Sequence, residues 1–549
     1  MAYVTTSAKR LLTQAMPGAT VPCSLCDDLH GGYVRRPMRY ANHLTSVVAE
    51  GCSSGVPLSD ATLPLHSPRI DVPTYDRSAL QPGVVHIGAG NFHRAHQAVY
   101  FDDLARSGIS QQWGVTGVSL RSRDVKDLLS AQDGLYTVVQ RAHDRQTARV
   151  VGSIGSYHYA PNDNDAVRAA LADPQTRVVS LTITDNGYFL DPVTREFDAD
   201  NPDVRADLVA SDSFATAWAY LAEALERRRR AGTAPFTVLC CDNIPDNTQA
   251  ARTALVSFAA LRDPGLARWI DTNVAFPSTM VDRITPRTST SERQFVEHTF
   301  GIADKLPVLT EPYCQWVIED TFSDDRPPLH EVGVQFVTDV SDHKLVKTRL
   351  LNGTHIAIGC LATLAGYQRT DEAMSDPVIF DYVEQLMRDE IQPLLPAVPG
   401  MNTPSYRNTL LTRLGNPRLS DQLSRLARRG STKMASFLLP SLHEAIAQDR
   451  PHTLLMLALA GWVRYLRGYD LDGGPIHVED PESGLLTKLA TMGGNNPRPL
   501  LRHEILADLR LIPGFTERLG AMIAGIDEHG VIPTLRRALR DDARELVLQ

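Results

Sequence analysis

The sequence predicts an α/β protein in which a doubly wound parallel sheet precedes a mainly α-helical C-terminal domain. Three observations lead there. Between about 80 and 285, short apolar runs alternate with helix-like segments. Two of these runs, Val178–Thr184 and Thr237–Cys241, are rich in β-branched residues, as strands buried on both faces require. After about 340 the chain turns to amphipathic segments with polar joints. Strand-helix alternation implies parallel strands joined by crossover helices, with ligands outside the carboxyl ends of the strands.

Taken in order, residues 1–66 read as a poorly ordered N-terminal extension, with scattered Gly, Ser and Pro and a basic group at Arg35, Arg36 and Arg39. Lys9, Arg10 and several Ser and Thr precede the first acid, Asp27, a composition that also suits a transit peptide. Residues 67–340 are the expected dinucleotide-binding, Rossmann-type domain. Its first strand, Gly83–Gly88, stops at the turn Gly88-Ala89-Gly90, whose glycines let the backbone approach a pyrophosphate at a helix N-terminus. His93 stands where a third glycine is usual. A helix Gln97–Ser107 and a strand Gly114–Ser119 follow. Leu135–Val139 and Ala148–Ile154 are predicted as a β pair, and Phe214–Arg230 as an amphipathic helix with a solvated basic end. Residues 341–549 are the expected helical domain. Its predicted helices are Lys344–Gly366, Asp376–Leu394, Asp421–Arg429, Pro440–Gln448, Thr453–Arg467, Arg502–Leu509, Pro513–Ile526 and Val531–Leu546.

Bulk properties narrow the function. A chain of 549 residues suits roughly two or three domains. A net charge of -9 argues against a dedicated nucleic-acid binder. No apolar run approaches the ~20 residues of a membrane span, and no secretory signal is evident. The seven cysteines form no disulfide framework. Cys240 and Cys241 read as core thiols, and Cys23-Ser24-Leu25-Cys26 is a lone C-x-x-C with no second pair to complete a zinc site. A cytoplasmic enzyme without membrane or nucleic-acid partners is expected.

Three further segments could carry chemistry. In Lys347-Thr348-Arg349-Leu350-Leu351-Asn352-Gly353-Thr354-His355, an α-helix at ~100° per residue would gather Lys347, Asn352 and His355 within an arc of ~140°. A buried lysine can take a hydroxyl proton, an amide can stabilise an oxyanion and an imidazole can orient a hydroxyl. Taken alone, the same residues better fit an ordinary amphipathic helix with a solvated lysine and a core histidine. Asn243 ends the strand Thr237–Cys241, and Thr184 and Asp185 end Val178–Thr184, where such sheets place ligands. Both ends are also plain turn sequence.

Together these segments resemble the polyol-specific long-chain dehydrogenase/reductase family (the mannitol dehydrogenase family), from about Pro57 to Leu546. The matching stretches include His86-Ile87-Gly88-Ala89-Gly90-Asn91-Phe92-His93-Arg94-Ala95-His96-Gln97, Ser180-Leu181-Thr182-Ile183-Thr184 and Cys241-Asp242-Asn243. Val281-Asp282-Arg283-Ile284-Thr285-Pro286, Glu311-Pro312-Tyr313, Leu350-Leu351-Asn352-Gly353-Thr354-His355, Asn416-Pro417, Asp421, Arg425 and Lys433 continue the series. The resemblance implies metal-independent, reversible hydride transfer between C2 of D-mannitol and NAD, giving D-fructose. Lys347 would be the general base, Asn243 and Asn352 the oxyanion hole, and His355 the holder of a neighbouring hydroxyl. Asp282, Arg425 and Lys433 would contact the remaining hydroxyls, although each also suits an ion pair. Ile87, Gly88, Ala89, Gly90, Asn91, Phe92, Arg123, Asp124, Thr184 and Asp185 would hold the dinucleotide. The family resemblance leans to a monomer.

Two departures matter. Similar dehydrogenases often carry two consecutive acids where this chain has Arg123-Asp124. An acid favours the ribose hydroxyls of NAD and an arginine a 2′-phosphate, so NAD is expected with NADP use admitted. Many relatives have Glu at the place of Lys344, one helical turn before Lys347; a second ammonium there would depress the Lys347 pKa or alter the route of its proton. Alternatives left open are a D-arabinitol or D-sorbitol dehydrogenase, a fructuronate reductase and a non-catalytic dinucleotide sensor.

Overall fold

The computed structural model describes residues 55–548, apart from 192, 193, 212, 245 and 420. The C-x-x-C pair at Cys23 and Cys26 and residues 1–54 of the expected extension lie outside the described residues. From Gly55 on, the expectation of an extension is corrected. Val56–Pro57 pairs in parallel with Ile302–Ala303, and Leu58 is buried beside Ile70 and Ile302.

The central sheet has five parallel strands: β1 (Val84–Ile87), β2 (Val115–Ser119), β3 (Ile154–Tyr159), β4 (Val178–Leu181) and β5 (Thr237–Cys240). Their spatial order is β3-β2-β1-β4-β5. Every residue of β1, β4 and β5 is buried, which explains their apolar runs. The order reverses between β1 and β4, where Ile87 lies opposite Leu181, and such a switch point opens a crevice for a ligand. The helices Ala217–Ala231 and Asn247–Arg262 cover one face. The helix Gln97–Arg106 packs with Trp316 on the other.

Several sequence expectations are revised. The second member of the β pair is Gln146–Val151; Ile154 instead opens β3, and Gly152-Ser153 separates the two strands. The basic end of Ala217–Ala231 is only partly solvated, because buried Arg228 donates to the carbonyls of Leu171, Asp173 and Ala234. A mixed sheet of Thr279–Asp282, Gln315–Glu319 and Gln335–Val337, unanticipated from the sequence, carries Asp282 at a strand end.

Helices follow from Ser341. The expected single helix Lys344–Gly366 is three pieces: Ser341–Lys347, a π turn Thr348–Asn352, and Gly353–Leu364. The Gly353 N–H donates to the Thr348 carbonyl five residues back. An added Cβ at Gly353 would stand 3.2 Å from the Phe437 carbonyl oxygen, so a glycine allows the helical turn Met434–Leu438 to approach. The helices Thr403–Leu414 and Ser483–Gly493 were not anticipated. Thr453–Tyr465 runs through the middle of this domain's core, buried from Leu454 to Tyr465. Among the described residues no helix is long and apolar enough to cross a membrane.

Candidate active site

The turn after β1 is shaped for close approach. Gly88 has φ +95°, and a Cβ on it would lie 2.2 Å from the Thr182 carbonyl oxygen, so no side chain fits. At Gly90 a Cβ would meet nothing nearer than the Gly88 oxygen at 3.8 Å, which leaves that side of the turn open. His93, in the place of a third glycine, stacks on His86 with ring centroids 3.5 Å apart and planes inclined by 13°. The His86 nitrogens lie 2.7 Å from Ser180 Oγ and 2.9 Å from Thr182 Oγ1, which ties the helix after the turn to β4. Burial lowers His86 to about 3 and pushes His93 in the same direction, so the stack consists of neutral rings.

Other residues expected at the dinucleotide are spread along the same crevice. Ile87 and Ala89 are buried below the turn. Asn91 accepts a hydrogen bond from Arg94 at 2.6 Å, and Phe92 stacks on His96. Arg123 and Asp124 lie exposed past β2, with Arg123 Nε 3.0 Å from the Asp127 carboxylate. Thr184 has φ +62°, a strained setting for a β-branched residue. It is held by buried Asp242, whose carboxylate accepts from the Ile183 N–H at 2.9 Å, the Thr184 N–H at 3.0 Å and the Tyr188 hydroxyl at 2.6 Å. Asp185 pairs with Arg429 of the helical region.

At the carboxyl end of β5, Lys347 meets Asn243: Nζ donates to Oδ1 at 2.6 Å. Because Oδ1 is engaged there, the Asn243 amide nitrogen is the end left to donate to a ligand. Lys347 is 7% exposed. Burial lowers its pKa to about 8; Asp282 opposes that shift, while Arg413 and Lys344 reinforce it. Asn352, equally buried, closes the π turn that begins after Lys347. An i→i+5 turn brings residues five apart toward one face, so Lys347 and Asn352 align more closely than an α-helix would allow. Among the described residues the buried Nε2 atom of His355 has no hydrogen-bond partner, and burial, with Arg425 nearby, lowers the ring to about 3. A neutral imidazole with an unmatched nitrogen is suited to a hydroxyl.

Asp282, expected either to contact a ligand or to form an ion pair, forms an ion pair in the structure. Arg413 donates to Asp282 Oδ1 at 2.6 Å and to Oδ2 at 2.8 Å, and the Tyr406 hydroxyl adds a bond to Oδ2 at 2.8 Å. Glu311 also receives Arg413, at 2.8 Å on each oxygen. Burial raises Glu311 to about 7, with Arg413 opposing that shift and Asp282 adding to it. Asp282 is therefore the counter-ion of Arg413, a residue that sequence reasoning missed together with its helix. Arg425 is likewise engaged, forming a two-pronged pair with Asp421. Lys433 Nζ donates to the carbonyls of Arg425 at 3.0 Å and Leu426 at 2.7 Å, and burial lowers it to about 8.

Past the carboxyl ends of β1 and β5 thus lie an open glycine turn and the Lys347–Asn243 pair, with Asn352 and His355 following Lys347 along the chain. A lysine near neutrality, amides and a neutral imidazole suit moving a proton at a hydroxyl or carbonyl. Residues 82–331 match the family profile "Mannitol dehydrogenase Rossmann domain", and residues 339–524 match "Mannitol dehydrogenase C-terminal domain". A mannitol 2-dehydrogenase of Aspergillus clavatus is 44% identical over 479 residues, covering 85% of this chain and 95% of the relative. A mannitol dehydrogenase of Saccharomyces cerevisiae is 41% identical over 488 residues, covering 88% and 97%. Among solved structures, the ternary complex of Pseudomonas fluorescens mannitol 2-dehydrogenase with NAD and D-mannitol superposes with a TM-score of 0.80 at 37% identity, covering 88% of this chain and 100% of that one. A substrate-free D-sorbitol dehydrogenase gives 0.81 at 34% identity, covering 87% and 100%.

Proposed function

The chain belongs to the mannitol dehydrogenase family, and from that premise we propose that it is an NAD-dependent mannitol 2-dehydrogenase interconverting D-mannitol and D-fructose. The observation that carries the reading is Lys347 Nζ at 2.6 Å from Asn243 Oδ1, with the amine lowered to about 8. Gly88 and Gly90 fit a dinucleotide, the first excluding any side chain and the second leaving its side of the turn open. NAD, when bound, supplies the hydride acceptor.

In alcohol oxidation, neutral Lys347 takes the proton of the C2 hydroxyl; in ketone reduction, its ammonium returns that proton. Asn243 and Asn352 donate amide N–H groups to the same oxygen, whose negative charge grows as the proton leaves. His355 Nε2 receives or donates a bond at a neighbouring hydroxyl. Asp282 acts through Arg413 on the charge around Lys347 rather than on the sugar.

A uronate substrate is less well served. Asp421 holds Arg425 and two carbonyls hold Lys433, so neither offers an uncommitted charge to a carboxylate. The D-sorbitol dehydrogenase likeness supports a second reading, in which another neutral polyol is preferred. NADH-linked turnover of fructose, xylulose, ribulose, sorbose and fructuronate decides among them. Fructose is expected to show the highest kcat/KM, and a higher value for any other member overturns the assignment.

A further inference from the structure

Lys347 is not the only lysine drawn inward at this end of the sheet. Lys344 lies one turn earlier on the helix Ser341–Lys347, and residues three apart on a helix are neighbours. Its Nζ donates to Asn247 Oδ1 at 2.8 Å and to Ser278 Oγ at 2.6 Å. Both partners are neutral. Asn247 cannot turn its amide around, because Nδ2 already faces the carbonyls of Cys240, Asp242 and Thr279 at 3.2–3.3 Å. The ammonium is therefore pinned in place by an acceptor whose orientation is set elsewhere.

The charges facing the two amines differ. Lys347 faces Asp282, Arg413 and Lys344. Asp282 is matched by Arg413, so its pull on the Lys347 proton is largely offset. Burial lowers Lys344 as well, but Asp246, Glu319 and Asp339 oppose that shift, and the two acceptors on Nζ hold the ammonium; Cys240, a thiol raised to about 12 by burial, stays neutral beside it. When both amines compete to hold a proton, this arrangement keeps it on Lys344 and releases it from Lys347.

We propose that Lys344 is a positioning residue of the reaction: a fixed cation that biases Lys347 toward its neutral, proton-accepting form. The inference rests on the reading of Lys347 as the base. Removing the charge lets Lys347 hold its proton more tightly, so the base is lost at neutral pH and recovered at higher pH.

The test is the pH dependence of kcat/KM for mannitol oxidation and fructose reduction in Lys344→Met and Lys344→Gln, beside Lys344→Arg and Lys347→Ala. In the Met and Gln variants both limbs are expected to move up by about one pH unit, about a tenfold loss of oxidation near pH 7. The high-pH oxidation plateau should be kept, and Lys344→Arg should keep the wild-type limbs. A role in folding alone would lower turnover at every pH without moving a limb, and that outcome overturns the proposal. So do unmoved limbs in a Met or Gln variant that binds NADH normally. If one neutral variant fails to fold, the other reads the same limb, and a limb shift in Lys344→Arg also counts against the idea. Turnover surviving in Lys347→Ala would instead remove the base reading itself, a failure distinguishable from the others.

Discussion

Arg413 grips Asp282 with both terminal nitrogens, at 2.6 and 2.8 Å, across 131 residues of sequence. One partner closes a strand of the mixed sheet and the other lies near the end of the helix Thr403–Leu414. The pair therefore bolts the helical region onto the sheet region directly beside Lys347. Glu311 adds a second carboxyl group against Arg413, and all three side chains are no more than 4% exposed.

Arg413→Ala would leave Asp282 and Glu311 as neighbouring buried carboxylates without a cation. Breaking a buried pair in this way costs about 3–5 kcal/mol, more than most surface changes. A clear fall in the urea midpoint is expected, read by circular dichroism. A midpoint unchanged from wild type would show that the ion cluster contributes nothing to the fold.

Lys347→Ala removes the proposed base while leaving the glycine turn untouched. General-base contributions are about a hundredfold to ten-thousandfold, so turnover of mannitol should fall within that range. NADH binding, followed by fluorescence titration, should be retained. Wild-type turnover would exclude Lys347 from the reaction.

The pH profiles follow from the same amine. Oxidation needs neutral Lys347, so its kcat/KM rises with pH and levels off above about 8. Reduction needs the ammonium, so its kcat/KM climbs as pH falls through the same value. Limbs running in the same direction for both reactions would contradict a single shared acid-base group.

Gly88→Ala tests the turn. The new methyl would stand 2.2 Å from the Thr182 carbonyl at φ +95°, and a backbone oxygen cannot swing aside as a flexible side chain could. Loss of NADH affinity and lowered stability are expected together, measured by titration and thermal melting. Wild-type NADH affinity would mean that the turn tolerates the displacement and does not cradle the cofactor.

What could be read in advance depended on how local the signal was. Lys347, Asn352 and His355 share one stretch of chain, and Asn243 ends an apolar strand, so period and position expose them. The π turn between Lys347 and Asn352 was illegible, because nothing in the local period marks an i→i+5 bond, and Gly353, which closes it, packs against Phe437 of a distant segment. Arg413 was hidden for a similar reason. Its helix mixes Thr, Asn and Arg with few apolar residues, and its partners lie 102 and 131 residues away. Asp282 was noticed with both an ion pair and a sugar contact left open, since nothing local tells a carboxylate facing sugar from one facing guanidinium. The edge strand β3 was merged with its predecessor because both are short and only Gly152-Ser153 divides them.

Arg123 is the residue expected to bear on coenzyme choice. It stands exposed at the head of the helix Asp124–Ser130, and its Nε reaches Asp127 one turn on. With side chains 59% and 51% exposed, that pair is weak, so a 2′-phosphate could draw the guanidinium away at little cost. Asp124, beside it, is the remaining acid expected at the ribose hydroxyls of NAD. Arg123→Glu would remove the cation, place a second acid next to Asp124 and repel a 2′-phosphate. The ratio of kcat/KM for NAD over NADP should therefore rise, mainly through a larger KM for NADP. Steady-state kinetics with both coenzymes at fixed mannitol measures it, at low ionic strength where exposed charges act most strongly. If the ratio does not change, Arg123 lies away from the ribose, and the choice between the two coenzymes is made by other residues of the crevice.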